Sequence, residues 1–313
     1  MAENTELSQY VPGFKANLNL APQQTDSRLL ASVDSELNYS EPGTGFNADD
    51  VGISDPEDVN TRVPDTPDKF LDKTRRVGFF TTFQDSAWVD NVDKVAELVD
   101  PTNPTMQALM AGRWRKADAG IIAAMYGPAY EKADENAVPT AIAFPAAQII
   151  AANDITFSHQ DESVPNDASD YGMSIGKMIE ANLLLDDSDI EGERFAAFGP
   201  AQVADLLRRV PATSKYYNEV QALSEGKIDK LLGFTIRRLP RKRLLLKDGT
   251  TNIRRVPFWI KPAVVYKGRS ITEANIRPRA DKSDTPQAFY KAQHGGSRRY
   301  DRGVVDVQCK ETV

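Results

Sequence analysis

The segment NPTMQALMAGRWRKADAGIIAAMYGP, residues 103–128, predicts the clearest helix of the chain. Asn103 is a suitable N-cap residue, and Pro104 suits the first helical position because the backbone N–H there has no partner within the helix. Apolar residues then recur at spacings of three and four, which places them on one helix face. They are Met106, Leu109, Met110, Trp114, Ala117, Ile121 and Met125, and Gly127-Pro128 ends the run. At 1.5 Å per residue this helix would be about 35 Å long, enough for the backbone of a domain.

Beyond this helix, the sequence alternates between helical and extended patterns. Ser174 can cap a helix that runs to about residue 185, with Met173 and Met178 in the two positions of a hydrophobic staple. A strand over residues 194–198 leads into Gly199-Pro200, which predicts the start of the next helix. Further predicted elements are a helix over 214–223, a strand over 231–236, a hairpin whose arms 243–247 and 250–260 flank Asp248-Gly249, and a strand over 304–309. The alternation favours an α+β or α/β unit.

The segment before the long helix has a different character. After a predicted short helix over residues 10–20, residues 23–63 are polar, rich in Asp, Pro and Gly, and without sustained periodicity. Residues 39–60 are expected to form a long excursion that is ordered only where something else holds it. Residues 74–88 predict an extended, half-buried stretch. Its apolar positions are Val77, Phe79, Phe80, Phe83 and Trp88.

Charge is sorted by position along the chain. Residues 1–60 carry eleven Asp or Glu and two basic residues, whereas residues 237–302 carry eighteen Lys or Arg and five acidic residues. Such opposite charges can be satisfied when the chain folds back on itself, or when the acidic segment of one copy lies across the basic surface of a neighbouring copy. They can also be two solvated faces of an ordinary soluble protein.

Composition limits the class of protein. With 313 residues, 41% of them hydrophobic, the chain can bury a sizeable core in one elaborate domain or two smaller ones. No apolar run approaches the roughly 18 residues that cross a bilayer, and residues 1–10 lack the features of a targeting segment, so we expect a cytosolic protein. The single cysteine, Cys309, is expected to pack in a strand. Stability must then come from packing or from contacts between copies.

The residues needed for most catalytic and metal sites are scarce. The two histidines, His159 and His294, lack companions at metal-ligand spacing, and we expect both to lie in turns or at the surface. No phosphate-binding glycine loop, dinucleotide fingerprint or nucleophile elbow is present. The acidic run Asp186-Asp187-Ser188-Asp189 is typical of a solvated loop. The sequence therefore predicts no enzyme activity, no cofactor and no metal.

A series of short motifs runs from about residue 63 to the C-terminus. The first part contains Val63-Pro64-Asp65-Thr66-Pro67, Arg75-Arg76, Trp88-Val89-Asp90 with Asp93, Asp100-Pro101 before the long helix, Gly112-Arg113, and residues 118–122. The second part contains Phe198-Gly199-Pro200 with Gln202, Thr213-Ser214 with Tyr217-Asn218, Gly226-Lys227-Ile228-Asp229 with Leu232-Gly233-Phe234, Arg277-Pro278, Asp281-Lys282-Ser283, Gly296-Ser297-Arg298, and the strand 304–309. In their order and spacing, these motifs resemble those of the major capsid proteins of tailed bacteriophages, in the branch with the Hong Kong 97-like shell fold.

This resemblance implies an α+β fold in five parts. They are an N-terminal arm over residues 1–23, an extended loop hairpin over 24–88, a peripheral domain over 89–170 with a spine helix over 104–126, an axial domain over 171–276, and a return to the peripheral domain over 277–313. It also implies a structural protein that self-assembles, as hexamers and pentamers, into the icosahedral head shell of a tailed phage. The shell would enclose double-stranded DNA without sequence-specific binding. Scaffolding, portal and decoration proteins are further expected partners, with assembly in the bacterial host cytoplasm and no membrane contact.

The resemblance and the charge pattern together give an assembly hypothesis, in which the acidic arm and loop of one copy lie over basic positions of its neighbour. The acidic candidates are Asp26, Asp34, Glu36, Asp49 and Asp50, and the basic candidates are Arg237, Arg238, Arg241, Lys242 and Arg243. Arg75 and Arg76 are further interface candidates. The alternative is that the arginines are solvated on their own hairpin.

Other functions compete with a phage shell. An encapsulin-like compartment would use the same fold to hold enzymes instead of DNA. A nucleic-acid-binding protein would use the basic segment 237–302, in which Tyr266, Tyr290 and Tyr300 interleave with Arg and Lys. An enzyme would need carboxylates alone for its chemistry, and no pair of them shows the signature of a pocket.

Overall fold

The computed structural model describes most of residues 23–311. Outside the description lie residues 1–22, 53, 57, 61, 63–65, 67, 89–101, 133–136, 154–170, 210–216, 227–228, 251 and 312–313. The predicted helix over residues 10–20 and the residue His159 fall in these ranges.

Four α-helices lie within the described residues. They are α1 (Thr102–Tyr126), α2 (Ile175–Asp186), α3 (Pro200–Arg209) and α4 (Tyr217–Ser224). The long predicted helix is confirmed as α1. The predicted cap of α2 is also confirmed, because the Ser174 hydroxyl accepts a hydrogen bond from the backbone N–H of Lys177 (3.3 Å). Met173 and Met178, the two members of the staple, are fully buried.

Three β-sheets contain the strands of the described residues. The strands are β1 (Asp34–Glu36), β2 (Gly45–Val51), β3 (Lys73–Phe79), β4 (Thr81–Trp88), β5 (Ala129–Glu131), β6 (Thr140–Ile142), β7 (Ile149–Ile150), β8 (Arg194–Phe198), β9 (Lys230–Leu231), β10 (Phe234–Arg238), β11 (Ile253–Ile260), β12 (Val264–Arg279), β13 (Thr285–Arg298) and β14 (Val304–Lys310). The sheet orders are β1-β12-β13-β4, β7-β14-β11-β8-β10-β9 and β2-β3-β5-β6. The mixture of helices and sheets confirms the predicted α+β class.

The six-stranded sheet is covered by apolar side chains on both faces. Strands β8 and β10 run parallel, whereas β11 is antiparallel to both of its neighbours, β8 and β14. Residues of β8 alternate between the faces, so that Phe195 joins one core and Phe198 the other. The first core includes Ile121 and Met125 of α1, and the second includes Met178 of α2, Leu206 of α3, Val220 of α4 and, as predicted, Cys309. The sheet therefore lies between α1 and the three shorter helices.

Internal contacts divide the chain into two compact units. The large unit contains the described residues of Arg28–Thr81, Ala117–Arg269 and His294–Val313, including the six-stranded sheet and both of its cores. The small unit contains the described residues up to Ser27, with Thr82–Lys116 and Ser270–Gln293. Its own core brings together Leu109, Ala288 and Tyr290. The division into arm, extended loop, peripheral domain and axial domain stays a prediction.

The predicted single strand over residues 231–236 is wrong. The structure has two short strands there, β9 and β10, which pair antiparallel around Leu232 and Gly233. Both residues have positive φ, at 50° and 82°, which is the geometry of a two-residue hairpin turn. Because leucine is uncommon in that conformation, the apolar run concealed the turn.

The predicted hairpin at Asp248-Gly249 is confirmed at its turn and differs in its first arm. Gly249 has a φ of 73°, and the second arm becomes β11. In the first arm, a 3₁₀ helix occupies Arg241–Arg243, and Leu246 forms an isolated bridge to Arg254. The arm over residues 243–247 is therefore an irregular chain with one bridge to its partner.

Within the excursion predicted over residues 39–60, residues 39–51 are held by contacts with other parts of the chain. They include β2, and both Tyr39 and Phe46 are buried in a small cluster with Val265. The aromatic residues supply a local core that the polar composition of the segment did not suggest. The extended stretch over residues 74–88 is confirmed as β3 and β4.

His294 is buried, contrary to the prediction of a turn or surface position. It lies in β13 with 8% of its surface exposed, and its Nδ1 lies 3.2 Å from the hydroxyl oxygen of Tyr266. The adjacent Gly295-Gly296 also belongs to this strand. These glycines allow close packing, since a Cβ at Gly296 would lie 2.7 Å from the Ala124 side chain.

A buried carboxylate joins the segment at residues 28–33 to α1. Asp118 is 1% exposed and accepts hydrogen bonds from the backbone N–H groups of Arg28 and Leu29, both at 3.2 Å. The six-stranded sheet also holds this segment, because Trp259 Nε1 in β11 donates a hydrogen bond to the carbonyl of Ser32 (2.8 Å). Asp118 thus satisfies two backbone donors that packing would otherwise leave unpaired.

We expect Asp118→Ala to lower the free energy of unfolding by about 3 kcal/mol, because two N–H donors lose their acceptor. Asp118→Asn keeps one acceptor oxygen and should cost less. Lys116→Ala changes an exposed position of the same helix and is the control, with an expected change below about 0.5 kcal/mol. Urea denaturation followed by circular dichroism measures all three. A loss for Asp118→Ala as small as that of the control would contradict the role of the carboxylate.

Candidate assembly surfaces

The hairpin formed by β2 and β3 is anchored in the large unit by aromatic packing. Phe46 is 1% exposed and lies over its cross-strand partner Gly78, where a Cβ would be 2.2 Å from the ring. The ring of Phe80 lies 5.6 Å from those of both Tyr39 and Phe46. The Lys267 ammonium is 4.5 Å from the centre of the Tyr39 ring, within cation–π range. The base of the hairpin therefore has a fixed place in this unit.

Four of the five acidic candidates face a cation of their own chain. The pairs are Asp49 with Arg75 (2.8 Å), Asp50 with Arg299 (2.9 Å), Glu36 with Lys267 (3.1 Å) and Asp34 with Arg299 (3.9 Å). Asp50 also accepts a hydrogen bond from the Tyr300 hydroxyl (3.0 Å), and its side chain is 14% exposed. The other three carboxylates are more than half exposed, so their pairs contribute little stability. Asp26, the fifth candidate, is exposed.

The basic candidates are held in several different ways. Arg76 pairs with Asp301 (2.8 Å), Arg237 lies over the Phe195 ring (5.5 Å), Arg238 donates to the carbonyls of Leu223 and Ser224 at the end of α4, and Arg241 pairs with Glu311 (2.6 Å). Lys242 is exposed and Arg243 is half-buried. Neither of these two has an ion pair within the part of the chain that the structure describes.

Among these candidates, the structure brings Asp49 and Arg75 together, directly opposite each other in the hairpin register. Sequence reasoning missed Arg299, which is 249 positions from Asp50. The sequence did contain one indication that Asp50 has a different partner from Asp49, because adjacent residues of a strand point to opposite faces. If Asp49 faces Arg75 across the hairpin, Asp50 must face elsewhere, and it faces Arg299. The contact of these residues with a neighbouring copy stays a prediction.

The loop that joins β2 to β3, residues 52–72, exposes large apolar side chains. Phe70 is 94% exposed and Val59 is 68% exposed. Within the described part of the loop, the Gly52 N–H donates to the Asp72 carbonyl (2.7 Å). Single exposed apolar residues are normal in soluble proteins, but several on one loop form a surface that another protein can cover.

The described residues show neither a cluster of metal ligands nor a membrane-spanning helix. They contain no group of three or more His, Cys, Asp or Glu side chains that could hold a metal ion. Within the same residues, no helix combines the length and the apolar character needed to span a membrane.

The tyrosines that would support nucleic-acid binding are not exposed for stacking. Tyr266 and Tyr290 are each 3% exposed. Tyr300 is half-buried, and its hydroxyl donates to Asp50. Bases of a single strand need an open aromatic face, so these three tyrosines do not form the stacking platform that the alternative function would use.

A buried ion pair joins β11 to β14. Arg255 Nε lies 2.7 Å from Asp306 Oδ2, and Asp306 is fully buried. The Arg255 guanidinium also lies 4.0 Å from the centre of the Tyr126 ring, at the end of α1. Burial raises the pKa of Asp306, although the charge of Arg255 acts in the opposite direction. The pair therefore joins β11, β14 and the end of α1, which is a structural role.

Comparison with known sequences supplies the family. A family profile described as phage capsid protein matches residues 7–311. The chain belongs to this family. This capsid protein is therefore a structural protein of the phage shell, located in the virion capsid, and its copies assemble into that shell. A search of curated proteins finds no match.

Solved capsid structures share the fold of this capsid protein. The capsid of Ralstonia phage GP4 aligns with a TM-score of 0.73 at 11% identity, over 100% of this chain and 98% of the other. The capsid asymmetric unit of cyanophage Pam1 aligns with a TM-score of 0.66 at 12% identity, over 99% of both chains. The acid-stable capsid of Helicobacter pylori bacteriophage KHP30 aligns with a TM-score of 0.64 at 10% identity, over 99% of this chain and 100% of the other. These likenesses confirm the predicted phage capsid fold.

The packing at the hairpin base gives a test in the capsid protein. Gly78→Ala should destabilise the subunit by about 1 to 3 kcal/mol, because the added methyl group overlaps the Phe46 ring. In a Phe46→Ala background the same change should cost much less, since the ring is absent. Thr74→Ala, at an exposed position of β3, is the control. Thermal unfolding measures each variant, and an equal cost in both backgrounds would rule out the overlap.

The buried Asp306 gives a pH-dependent test. Because its pKa is higher in the folded chain than in the unfolded chain, its contribution is most favourable below the unfolded pKa and decreases as pH rises through the folded pKa. The stability of the wild type relative to Asp306→Asn should therefore fall as pH rises. Asp281 is the control, because hydrogen bonding to Arg279 lowers its pKa. The stability of the wild type relative to Asp281→Asn should therefore rise as pH rises. Urea denaturation at a series of pH values separates the two, and equal slopes would contradict the assignment.

Proposed function

We propose that this capsid protein is the major capsid protein of a tailed bacteriophage. Its copies form hexamers and pentamers that close into an icosahedral head shell around double-stranded DNA. The observation that carries this proposal is loop 52–72, which exposes Phe70 and Val59 on a hairpin whose base is fixed. Burial of a phenylalanine contributes about 1.5 to 3 kcal/mol. A shell repeats such a contact in every copy, so a modest energy per loop becomes large for the particle.

The role is structural, without catalysis or a cofactor. The net charge of −7 opposes tight attachment of DNA, and several basic residues of the segment 237–302 are neutralised by carboxylates of the same chain. These features support a container that encloses DNA without reading its sequence. Assembly takes place in the bacterial host cytoplasm, with scaffolding, portal and decoration proteins as partners, and involves no membrane.

Charged residues of the arm and hairpin take part in contacts between copies. Asp26 is exposed and free to reach a neighbour through solvent. The exposed pair of Asp49 and Arg75 places both charges at a fixed position on the hairpin. A fixed pair of this kind sets the register of an approaching subunit more than it adds affinity.

The contents of the particles distinguish a phage head from an encapsulin-like compartment. Expression of the protein, alone and with proteins encoded beside it, should give closed particles in negative-stain images. Particles from infected cells should contain nuclease-protected DNA. Particles that contain a specific enzyme cargo and no DNA would support the compartment instead. Steep, salt-dependent binding of free DNA by unassembled subunits would support a nucleic-acid-binding protein.

The loop predicts a variant that folds and does not assemble. Phe70→Asp should reduce the yield of closed particles at least tenfold, because a charge replaces the apolar side chain at the contact. Its melting temperature as a free subunit should be unchanged, since Phe70 is 94% exposed. Thr66→Asp introduces the same charge at another exposed position of the loop and should assemble normally. Sedimentation of assembly mixtures measures the yield, and normal particles from Phe70→Asp would exclude the loop as a contact.

A further inference from the structure

Two oppositely charged segments lie at opposite ends of the six-stranded sheet. Strands β8 and β10 are parallel, with Arg194 opposite Phe234 and Phe198 opposite Arg238. Residues 186–193 enter β8 at its first end, and residues 239–247 leave β10 at its last end. Because the two strands run in the same direction, the two segments are separated by the length of the sheet. Five residues at 3.3 Å each make that at least about 15 Å.

The two segments have opposite and nearly equal charge. Residues 186–193 contain five acidic residues and no Lys or Arg, and residues 239–247 contain four basic residues and no Asp or Glu. We name them the acidic end and the basic end. Two nearby residues of opposite sign are engaged, since Arg194 pairs with Asp186 at the acidic end and Glu311 is buried against Arg241 and Arg254 at the basic end. Asp248, directly after the basic end, is exposed. Two further lysines adjoin the acidic end: Lys230, which is exposed, and Lys261, whose backbone N–H donates to the Glu193 carbonyl (3.0 Å).

Each end keeps charged side chains that are exposed or half-buried and have no ion pair among the described residues. At the acidic end these are Asp187, Asp189, Glu191 and Glu193, all of them exposed. At the basic end they are Lys242, which is exposed, and Arg243 and Lys247, which are half-buried. They differ from the acidic candidates of the hairpin, such as Asp50, whose charge is neutralised within the chain. Charge that another molecule can still satisfy is therefore present at both ends of this sheet.

Exposed apolar side chains lie beside the charges at both ends. On α2, just before the acidic end, Leu183 is 59% exposed and Ile179, one helical turn earlier, is 42% exposed. At the basic end, Leu245 and Leu246 are 42% and 38% exposed. Both surfaces thus combine an apolar patch with charged residues at its side, which is the usual composition of a protein–protein contact.

We propose that the acidic end of one copy contacts the basic end of the next copy. The proposal rests on the proposed function, because it concerns how copies of the shell protein meet. The two surfaces differ and lie at opposite ends of one sheet, so the contact is heterologous, and repetition of it gives a ring or a filament. A closed ring of such contacts would hold the copies of one capsomer together, with every copy oriented the same way around the ring. Leu183 and Ile179 would meet Leu245 and Leu246, with the opposite charges around them.

Charge reversal of each end tests the proposal. One variant carries Asp187→Lys, Asp189→Lys, Glu191→Lys and Glu193→Lys, and the other carries Lys242→Glu, Arg243→Glu and Lys247→Glu. All seven side chains are exposed or half-buried, so each variant should keep its circular dichroism spectrum and melting temperature as a free subunit. Each should give at least tenfold fewer capsomers and particles than the wild type by sedimentation. A third variant that carries both reversals should recover them, because the complementary charges are restored in the opposite sense.

A mixture of the two single-end variants sharpens the test. The first variant is basic at both ends and the second is acidic at both ends, so neither binds itself and each binds the other. An equimolar mixture should therefore associate, with the two variants in equal amounts. Alternation closes a ring only with an even number of copies, so the mixture should form six-membered rings and no five-membered ones.

The outcomes separate this inference from the proposed function. If the wild type forms particles and either folded single-end variant forms as many, the contact between the ends is wrong while the shell function stands. Failure of the folded double reversal to recover assembly would likewise overturn the contact. If the wild type forms no particles, even with its scaffold, the proposed function fails and this inference fails with it.

Discussion

Strand β11 is the constraint on which the large unit depends. It is hydrogen-bonded on both edges, to β8 and to β14, and the two cores of the sheet meet along it. Phe258 joins one core and Trp259 joins the other. A strand that is covered on both edges and both faces has little access to water, so a charged residue within it is stabilised by a partner. Arg255 finds that partner in Asp306. The two charged ends of the sheet are held apart by the same framework of strands.

Local signals in the sequence predicted the helices well. The cap at Ser174 and the junction at Gly199-Pro200 depend on hydrogen bonds and φ angles within a few residues, and the structure has both elements where these signals place them. The failures have an equally local origin. Gly295-Gly296 is typical of a turn, yet in β13 it makes room for Ala124 and for backbone packing. The absence of a side chain permits a turn and close packing alike, and the sequence does not distinguish these uses.

The candidate site was predicted only in part, because charge partners are set by topology. The sorting of charge along the chain was visible in the sequence, and Asp50 with Arg299 shows that part of it is satisfied by folding back. The sequence interpretation of Asp186-Asp187-Ser188-Asp189 as a solvated loop agrees with the exposure of its aspartates, but it did not predict where this loop lies in the fold. Its position opposite the basic segment follows from the parallel pairing of β8 and β10. Periodicity predicts that a strand exists, but it does not predict the direction of its neighbours.

The exposure of loop 52–72 also bears on the fate of subunits that fail to find partners. Surface loops with few tertiary contacts are where proteolytic enzymes cut first. If a neighbour covers the loop in the shell, as we propose, the same peptide bonds are out of reach. Intracellular degradation would then remove stray chains and spare completed particles, so the pool of free subunits would be limited by turnover as well as by consumption into shells.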